Sequence, residues 1–137
     1  VLAVISADIP AVEKIRRYFF CRMGQFWRRP DFFRLFVLGT SGGGGVPDPR
    51  SGFLPELVER YDRLLIRIDD IFRSGKEDGV FRDAKPRLLT LSLEGVLRSY
   101  LVHLIRKNAA TRSEEDEEAL FQLFSQGILA RLPGGQT

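Results

Sequence analysis

The hydrophobic residues of this chain recur three or four positions apart in four long segments and one short one. That spacing places side chains on one side of an α-helix, whereas a half-buried strand alternates at every second residue. No segment alternates convincingly in that way. The pattern therefore predicts an all-α fold, a bundle of about five helices in a single domain that spans residues 1–137.

Prolines, glycines and capping residues mark where the first helices begin and end. The first long helix is predicted at 9–29, with Asp8 as its N-cap and Pro30 directly after it. A short apolar helix is predicted to follow at 31–38. The glycine-rich stretch at 39–52 interrupts all periodicity, so we expect a flexible loop there.

Three further helices are predicted in the second half of the chain. They cover 53–74, 86–107 and the stretch that follows Ser113. Gly75 and Gly79 mark a frayed end of the first of them, and Pro86 opens the second. The acidic residues after Ser113 lie where the helix dipole favours negative charge, so the hydroxyl of Ser113 is predicted to cap the last helix.

The helix predicted at 86–107 is apolar on two nearly opposite sides. Its core-facing side carries Leu89, Leu93, Val96, Leu97, Tyr100 and Leu104, and its second side carries Leu88, Leu91, Gly95 and Val102. The last helix has a broad apolar face with Phe121, Phe124 and Ile128. Because a surface helix has no use for a second stripe, we expect the last two helices to form a four-helix interface with a second copy. The alternative is a large monomer core that encloses both helices.

Composition restricts both the class of protein and the cellular compartment that we expect. Hydrophobic residues make up 44% of the chain and charged residues 28%, values that exclude disordered and fibrous proteins. The net charge of +3 is too small to predict bulk affinity for nucleic acid. A single cysteine, Cys21, favours the cytoplasm, and no apolar run looks long enough to span a bilayer. Val1 in place of Met suggests a fragment or a processed chain, and the tail at 133–137 is predicted to be disordered.

The sequence contains no recognisable catalytic, metal-binding or phosphate-binding motif. The glycine run at 42–45 lacks the Lys-Ser or Lys-Thr that follows in a phosphate-binding loop. His103 has no second histidine or nearby cysteine with which to hold a metal. No serine or cysteine lies in a catalytic motif. We therefore expect a protein that is not an enzyme and that uses no cofactor and no metal.

A candidate ligand site centres on Arg16, which the helical spacing places among apolar residues of the first long helix. A guanidinium in that position needs a partner. One interpretation is a ligand carboxylate or other polar head in an apolar pocket. The pocket would be lined by Phe19, Met23, Trp27, Leu65, Phe72 and Tyr100. The interpretation that we favour is an internal ion pair with Asp69, or a side chain that extends to solvent.

Three segments, at 29–36, 79–97 and 119–128, resemble in order and spacing the C-terminal domain of tetracycline-repressor-type (TetR-like) transcriptional regulators. In that family the last two helices form the dimer interface and the helices before them enclose an effector pocket. The resemblance implies that an N-terminal helix-turn-helix domain is absent from this chain. It also implies that 1–8 is the end of the linker helix that follows such a domain.

The resemblance implies an effector-sensing and dimerisation domain that binds a small apolar or amphipathic ligand. Its partners would be a second copy, the effector, and DNA only through the absent domain, with no membrane contact. An effector pocket of roughly a few hundred cubic ångströms would then open between the helices at 9–29, 53–74 and 86–106. The alternative is a helical protein-interaction or dimerisation module without a ligand site.

Overall fold

The computed structural model describes residues 8–38 and 55–130, whose backbone is mostly helical. In chain order the helices are α1 (Ala11–Arg28), α2 (Pro30–Leu38), α3 (Pro55–Glu77), α4 (Pro86–Lys107) and α5 (Glu114–Ile128). Across the two described ranges, β pairing is limited to an isolated bridge between Phe81 and Leu129. The prediction of an all-α fold with about five helices is confirmed. The predictions for the loop at 39–52, the tail at 133–137 and all but Asp8 of the linker at 1–8 lie outside the described residues.

Local signals place most helix ends where the sequence predicted them. Pro86 is the first residue of α4. Ser113 precedes α5, and its hydroxyl accepts a hydrogen bond from the backbone N–H of Asp116 at 3.2 Å. Asp8 does not cap α1, because the N-cap position belongs to Pro10, which offers no side-chain hydrogen bond. The predicted cap of the last helix is thus confirmed, and that of the first is wrong.

Helix α4 lies at the centre of the bundle and packs against α1, α3 and α5. The hydrophobic residues with no accessible surface come from α1, α3 and α4, namely Ile15, Tyr18, Phe19, Met23, Ile68, Phe72, Leu93 and Leu97. Aromatic contacts link α5 to the same core, with 5.3 Å between the ring centroids of Phe19 and Phe121. Full burial of one large apolar side chain contributes about 1.5–3 kcal/mol, so this cluster supplies much of the driving force for folding.

Gly75 is a buried contact point within α3 and not part of a frayed end. The helix continues to Glu77, and Gly79, at a φ of 76°, adopts the left-handed conformation that reverses the chain. The reversal lays the ring of Phe81 directly over Gly75, whose carbonyl accepts a hydrogen bond from the backbone N–H of Val80 at 2.8 Å. A Cβ atom on Gly75 would stand 2.3 Å from that ring. The glycine is required because two elements approach closely at this point.

We expect Gly75→Ala to lower the free energy of unfolding by about 1–3 kcal/mol, because the added methyl group forces the Phe81 ring out of the core. Urea unfolding followed by circular dichroism measures the change. Gly24→Ala is the matched control, since a Cβ there meets only the Arg112 guanidinium, at 3.9 Å. Equal stability of the two variants would show that the close approach at Gly75 has no energetic weight.

Helix α4 is also long and apolar enough, by length and composition alone, to cross a bilayer. The expectation that no apolar stretch is long enough to span a bilayer is therefore wrong by these criteria of length and composition. The reason is that its charged residues are few: between Leu88 and Ile105, Glu94 and Arg98 are the only Asp, Glu, Lys or Arg residues. Core helices pass the same test, and α4 packs against three neighbours within the bundle.

Candidate functional site

A buried carboxylate, Glu94 on α4, lies between α1 and α3 and is only 2% exposed. The hydroxyl of Tyr18 donates a hydrogen bond to its Oε1 atom. The hydroxyl of Tyr61 donates to Oε2 at 3.2 Å, and Nη1 of Arg22 donates to both oxygens at 3.2 Å. We refer to Tyr18, Arg22, Tyr61 and Glu94 as the Glu94 cluster. It joins three helices through one carboxylate.

Arg22 lies one helical turn after Tyr18 on α1 and contacts it in two ways. Its Nη1 atom donates to the Tyr18 hydroxyl oxygen at 2.5 Å. Its guanidinium carbon stands 5.6 Å from the centroid of the Tyr18 ring, a distance at which a cation is attracted by the ring face. The carboxylate of Glu94 and the ring of Tyr18 thus bind one positive charge together.

The environment of the Glu94 cluster fixes the protonation of Tyr18, Arg22 and Tyr61. Burial, with Glu94 as a further cause, raises the pKa of Tyr61 to about 12. Burial raises the pKa of Tyr18 well above its usual value. Burial opposes the charge of Arg22, but Tyr18 and Glu94 outweigh it and raise the pKa of that guanidinium. At neutral pH both tyrosines are therefore neutral donors and the arginine is a cation.

Stability is expected to fall as pH rises from about 10 to about 12, because the unfolded chain releases the tyrosine protons near pH 10 while the folded chain holds them. Tyr61→Phe removes one of these groups and should make the decline shallower. Urea unfolding of both proteins, at pH values from neutral to about 11, measures the two slopes. Identical slopes would mean that Tyr61 titrates alike in the folded and unfolded chains.

Arg16 occupies a different environment from the predicted one. Its two terminal nitrogens donate to the carboxylate of Glu118 on α5 at 2.9 and 2.7 Å, and its side chain is 37% exposed. Asp69 instead accepts hydrogen bonds from Arg87 at 2.9 Å and from the Thr90 hydroxyl at 2.6 Å. The predicted ion pair between Arg16 and Asp69 is therefore wrong. Arg16 lies at the edge of the buried face of α1 and faces α5 rather than α3.

The remaining residues of the predicted pocket are divided between three places. Phe19, Met23 and Phe72 have no accessible surface and belong to one packed core cluster, and Leu65 is 6% exposed. Trp27 is half-buried, and its indole N–H is buried without a hydrogen-bond partner. Tyr100 lies apart from them, in a groove between α4 and α5. Because water cannot reach the three core side chains, the predicted pocket does not border them in this structure.

The centre of the Glu94 cluster, Arg22 with Glu94, was not predicted from the sequence. A signal for it exists, because Arg22 follows Tyr18 by four residues and precedes Phe26 by four, which places it on the same side of α1 as two buried residues. Glu94 similarly follows Thr90 by four residues and precedes Leu97 by three, and both of these residues are buried. A charged residue at the centre of a buried face indicates a partner on a neighbouring helix.

A second feature is the outer face formed by α4 and α5, which no other described helix covers. It exposes Leu88 by 55%, Leu91 by 48% and Leu123 by 70%. Gly95 lies among them, with no heavy atom near the place of a missing Cβ. Val102 is half-buried on the same side of α4. The second apolar side predicted for this helix thus remains largely exposed in the single chain.

The assignment of α5 residues to that face requires a correction. Phe121, Phe124 and Ile128 are 3%, 8% and 4% exposed, so they are already buried by their own chain. Leu123 occupies the outer side of α5 in their place. The reason is the angular position on the helix, since Leu123 lies about 100–160° around the helix from these three residues.

A long groove follows the seam between α4 and α5 on this outer face. Its main part has a volume of about 860 Å³, and small residues of α4, Ser92, Gly95 and Ser99, form one side of it. A smaller hollow of about 380 Å³ continues it toward the start of α4 and shares Ser92 and Leu123 with it. Small residues at such spacing let a second helix approach closely.

Comparisons with known proteins identify no relative. No family model matches the chain, no curated protein matches it, and no solved structure matches it.

Within 8–38 and 55–130, no group of three or more histidine, cysteine, aspartate or glutamate residues is placed to hold a metal ion. Functional inference therefore depends on the Glu94 cluster, on the outer face of α4 and α5, and on the resemblance of the three sequence segments.

Proposed function

We propose that this chain is the effector-sensing and dimerisation domain of a TetR-like DNA-binding transcriptional regulator. The observation that carries the proposal is the outer face of α4 and α5. Three leucines there, Leu88, Leu91 and Leu123, are each about half or more exposed. Burial of such side chains is favourable, and a contiguous apolar patch with a central groove is typical of a protein–protein interface.

A second copy fits this face because the last two helices contribute to it together. Helix α4 has 22 residues and α5 has 15, so two copies bring four long helices side by side in a closed, symmetric dimer. The gap at Gly95 leaves room for a helix of the partner to cross α4 closely. The dimer would hold two DNA-binding domains, one on each chain, at a defined spacing.

Helix α4 also gives a physical route from an effector to the dimer. Glu94 on its inner side contacts α1 and α3, while the adjacent Gly95 lies on its outer side in the groove. A ligand that moves α4 against α1 therefore moves the dimer face as well. Allosteric coupling requires that the effector make different contacts in the two states of the protein, and a shift of α4 would provide that difference.

The proposal is tested by the mass of the native chain in solution and by the coding sequence upstream of Val1. Sedimentation equilibrium at micromolar concentration is expected to give twice 15.6 kDa. The upstream sequence is expected to encode a helix-turn-helix domain. A monomer with no such sequence upstream would overturn the proposal.

A second candidate is a helical interaction module without a ligand site, and the closed core favours it. Phe19, Met23 and Phe72 leave no space that water can reach. A dimer that binds no small molecule and has no helix-turn-helix upstream would support this module over the regulator.

A further inference from the structure

We infer that two copies meet with their α4 helices antiparallel and crossing at Gly95, so that Leu88 and Leu91 of each copy occupy the groove of the other. The inference rests on the proposed function, and it names the part of the partner that occupies the groove. A symmetric interface brings the same face of both chains together, so the face has to be complementary to itself. The outer face of α4 and α5 meets that requirement in shape and in charge.

The projecting side chains and the main groove lie toward different ends of the outer face. Leu88 and Leu91 are in the first two turns of α4, and each is about half exposed. Leu123 lies toward the same end, because it also lines the smaller hollow at the start of α4. The main part of the groove, about 860 Å³, follows α4 from Ser92 to Lys107. One half of the face therefore mainly projects, and the other half is mainly hollow.

An antiparallel arrangement brings the projecting half of one copy to the hollow half of the other. Leu91, four residues before Gly95, then faces the partner's Ser99, four residues after it. Leu88, seven residues before the crossing, faces the partner's Val102, seven residues after it. Parallel helices would place leucines against leucines and leave groove against groove. The walls of such an unfilled space lose packing contacts, which disfavours the parallel dimer.

Gly95 suits the crossing point because no described contact of its own chain accounts for a glycine there. A glycine inside a helix costs about 0.5–1 kcal/mol relative to alanine. At Gly75 the Phe81 ring fills the space of the missing Cβ, whereas at Gly95 no described heavy atom lies within 4 Å of that place. A helix of the partner can use this space, since the distance between two packed helices depends on the side chains at their contact.

The charged residues at the two ends of the outer face also favour the antiparallel arrangement. Asp116 on α5 lines the far end of the groove, and Arg82, just before α4, lines the smaller hollow at the near end. Parallel copies would bring each Asp116 toward its own counterpart, and like charges that face one another weaken an interface. Antiparallel copies bring Asp116 toward the partner's Arg82 instead. Lys107, which shares the far end with Asp116, then approaches the partner's Asp83, whose side chain is 94% exposed.

Disulfide formation between copies tests the arrangement. Two variants, Leu91→Cys and Ser99→Cys, each also carry Cys21→Ser, so that the introduced thiol is the only one in the chain. A disulfide needs Cα atoms about 4.4–6.8 Å apart. In the antiparallel dimer residue 91 lies opposite residue 99 of the partner but about 12 Å along the helix from its own counterpart. An equilibrated, oxidised mixture of the two variants should therefore show at least about fivefold more cross-linked dimer on a non-reducing gel than either variant alone.

Sedimentation equilibrium of the same samples separates this inference from the proposed function. The native chain and Cys21→Ser should both be dimers. Equal cross-linking in either variant alone, or a dimeric mixture that does not cross-link, would overturn the antiparallel arrangement without affecting the proposed dimer. A monomeric native chain would overturn both.

Charge reversal gives a second readout that introduces no thiol. Arg82→Glu should raise the Kd of the dimer at least about threefold at low salt, because carboxylates of the two copies then face each other at both ends of the interface. Arg82→Glu/Asp116→Arg should restore most of the affinity. Arg63→Glu on α3 is the control, since α3 contributes no residue to the groove. A Kd that falls or stays unchanged in Arg82→Glu would count against the antiparallel arrangement.

Discussion

Leu91→Glu is expected to convert the proposed dimer to a monomer at micromolar concentration. Leu91 is 48% exposed on α4 and precedes the groove residue Gly95 by four residues, so it lies on the same side of the helix. In a symmetric interface the substitution places two carboxylates in the buried centre, one from each chain, where neither has a counter-ion. The positions whose truncation costs an interface more than about 1 kcal/mol cluster near its centre, and two buried charges add to any such loss.

The control is Ile66→Glu, which introduces the same charge at an equally exposed hydrophobic residue on α3. Ile66 is 52% exposed but lies on α3, which contributes no residue to the groove between α4 and α5. Sedimentation equilibrium of both variants should show twice the chain mass for Ile66→Glu and a single chain mass for Leu91→Glu. Unfolding curves establish that both remain folded. A Leu91→Glu variant that stays dimeric would remove the outer face of α4 from the interface.

The fold could be predicted because its helix ends are determined by interactions between residues that are close in sequence. Pro86 begins α4 and Ser113 caps α5, and each acts through atoms within a few residues of itself. The two-sided pattern of α4 was also local. Leu89, 5% exposed, faces the core while its neighbour Leu88, 55% exposed, faces outward. A helical period is sufficient to separate these two leucines.

The candidate site was harder to predict because its partners come from different helices. The sequence placed Arg16 near the centre of the buried face of α1, but that centre is formed by Ile15, Tyr18 and Phe26, with Arg22 among them. When the buried face of a helix is located from its apolar residues alone, the predicted centre moves away from any polar residues that are also buried there. Nothing in the sequence distinguishes Glu118 from Asp69 as the partner of Arg16, since both are carboxylates on helices that contact α1.

Gly75 illustrates the same limit for a backbone residue. Glycine commonly ends a helix, so the sequence indicated a frayed end there. Its role in the structure is to admit the ring of Phe81, six residues later, after the turn at Gly79. The turn is a local signal, but the contact that it creates depends on where the chain returns. Local chemistry therefore predicted the elements, and only the packed bundle defined the contacts.

Loss of one partner of the buried pair is expected to destabilise the fold strongly, whereas loss of both is expected to cost much less. Arg22→Met leaves the carboxylate of Glu94, 3% exposed, without a counter-ion, and Glu94→Leu leaves a guanidinium between two tyrosines. Removal of one member of a buried ion pair typically costs about 3–5 kcal/mol. The double variant Arg22→Met/Glu94→Leu replaces both charges with apolar groups of similar size, a change that is often nearly neutral. Its main remaining cost is the buried Tyr18 hydroxyl, which loses its acceptor.

Urea unfolding of the two single variants and the double variant gives the coupling free energy directly. The exposed pair of Arg17 and Glu13, one turn apart on α1, is the control cycle, and its coupling should be small because solvent screens both charges. A double variant nearly as stable as the wild type would show that the ion pair adds little net free energy to folding. Additive losses in the two single variants would show that Arg22 and Glu94 do not act as a pair.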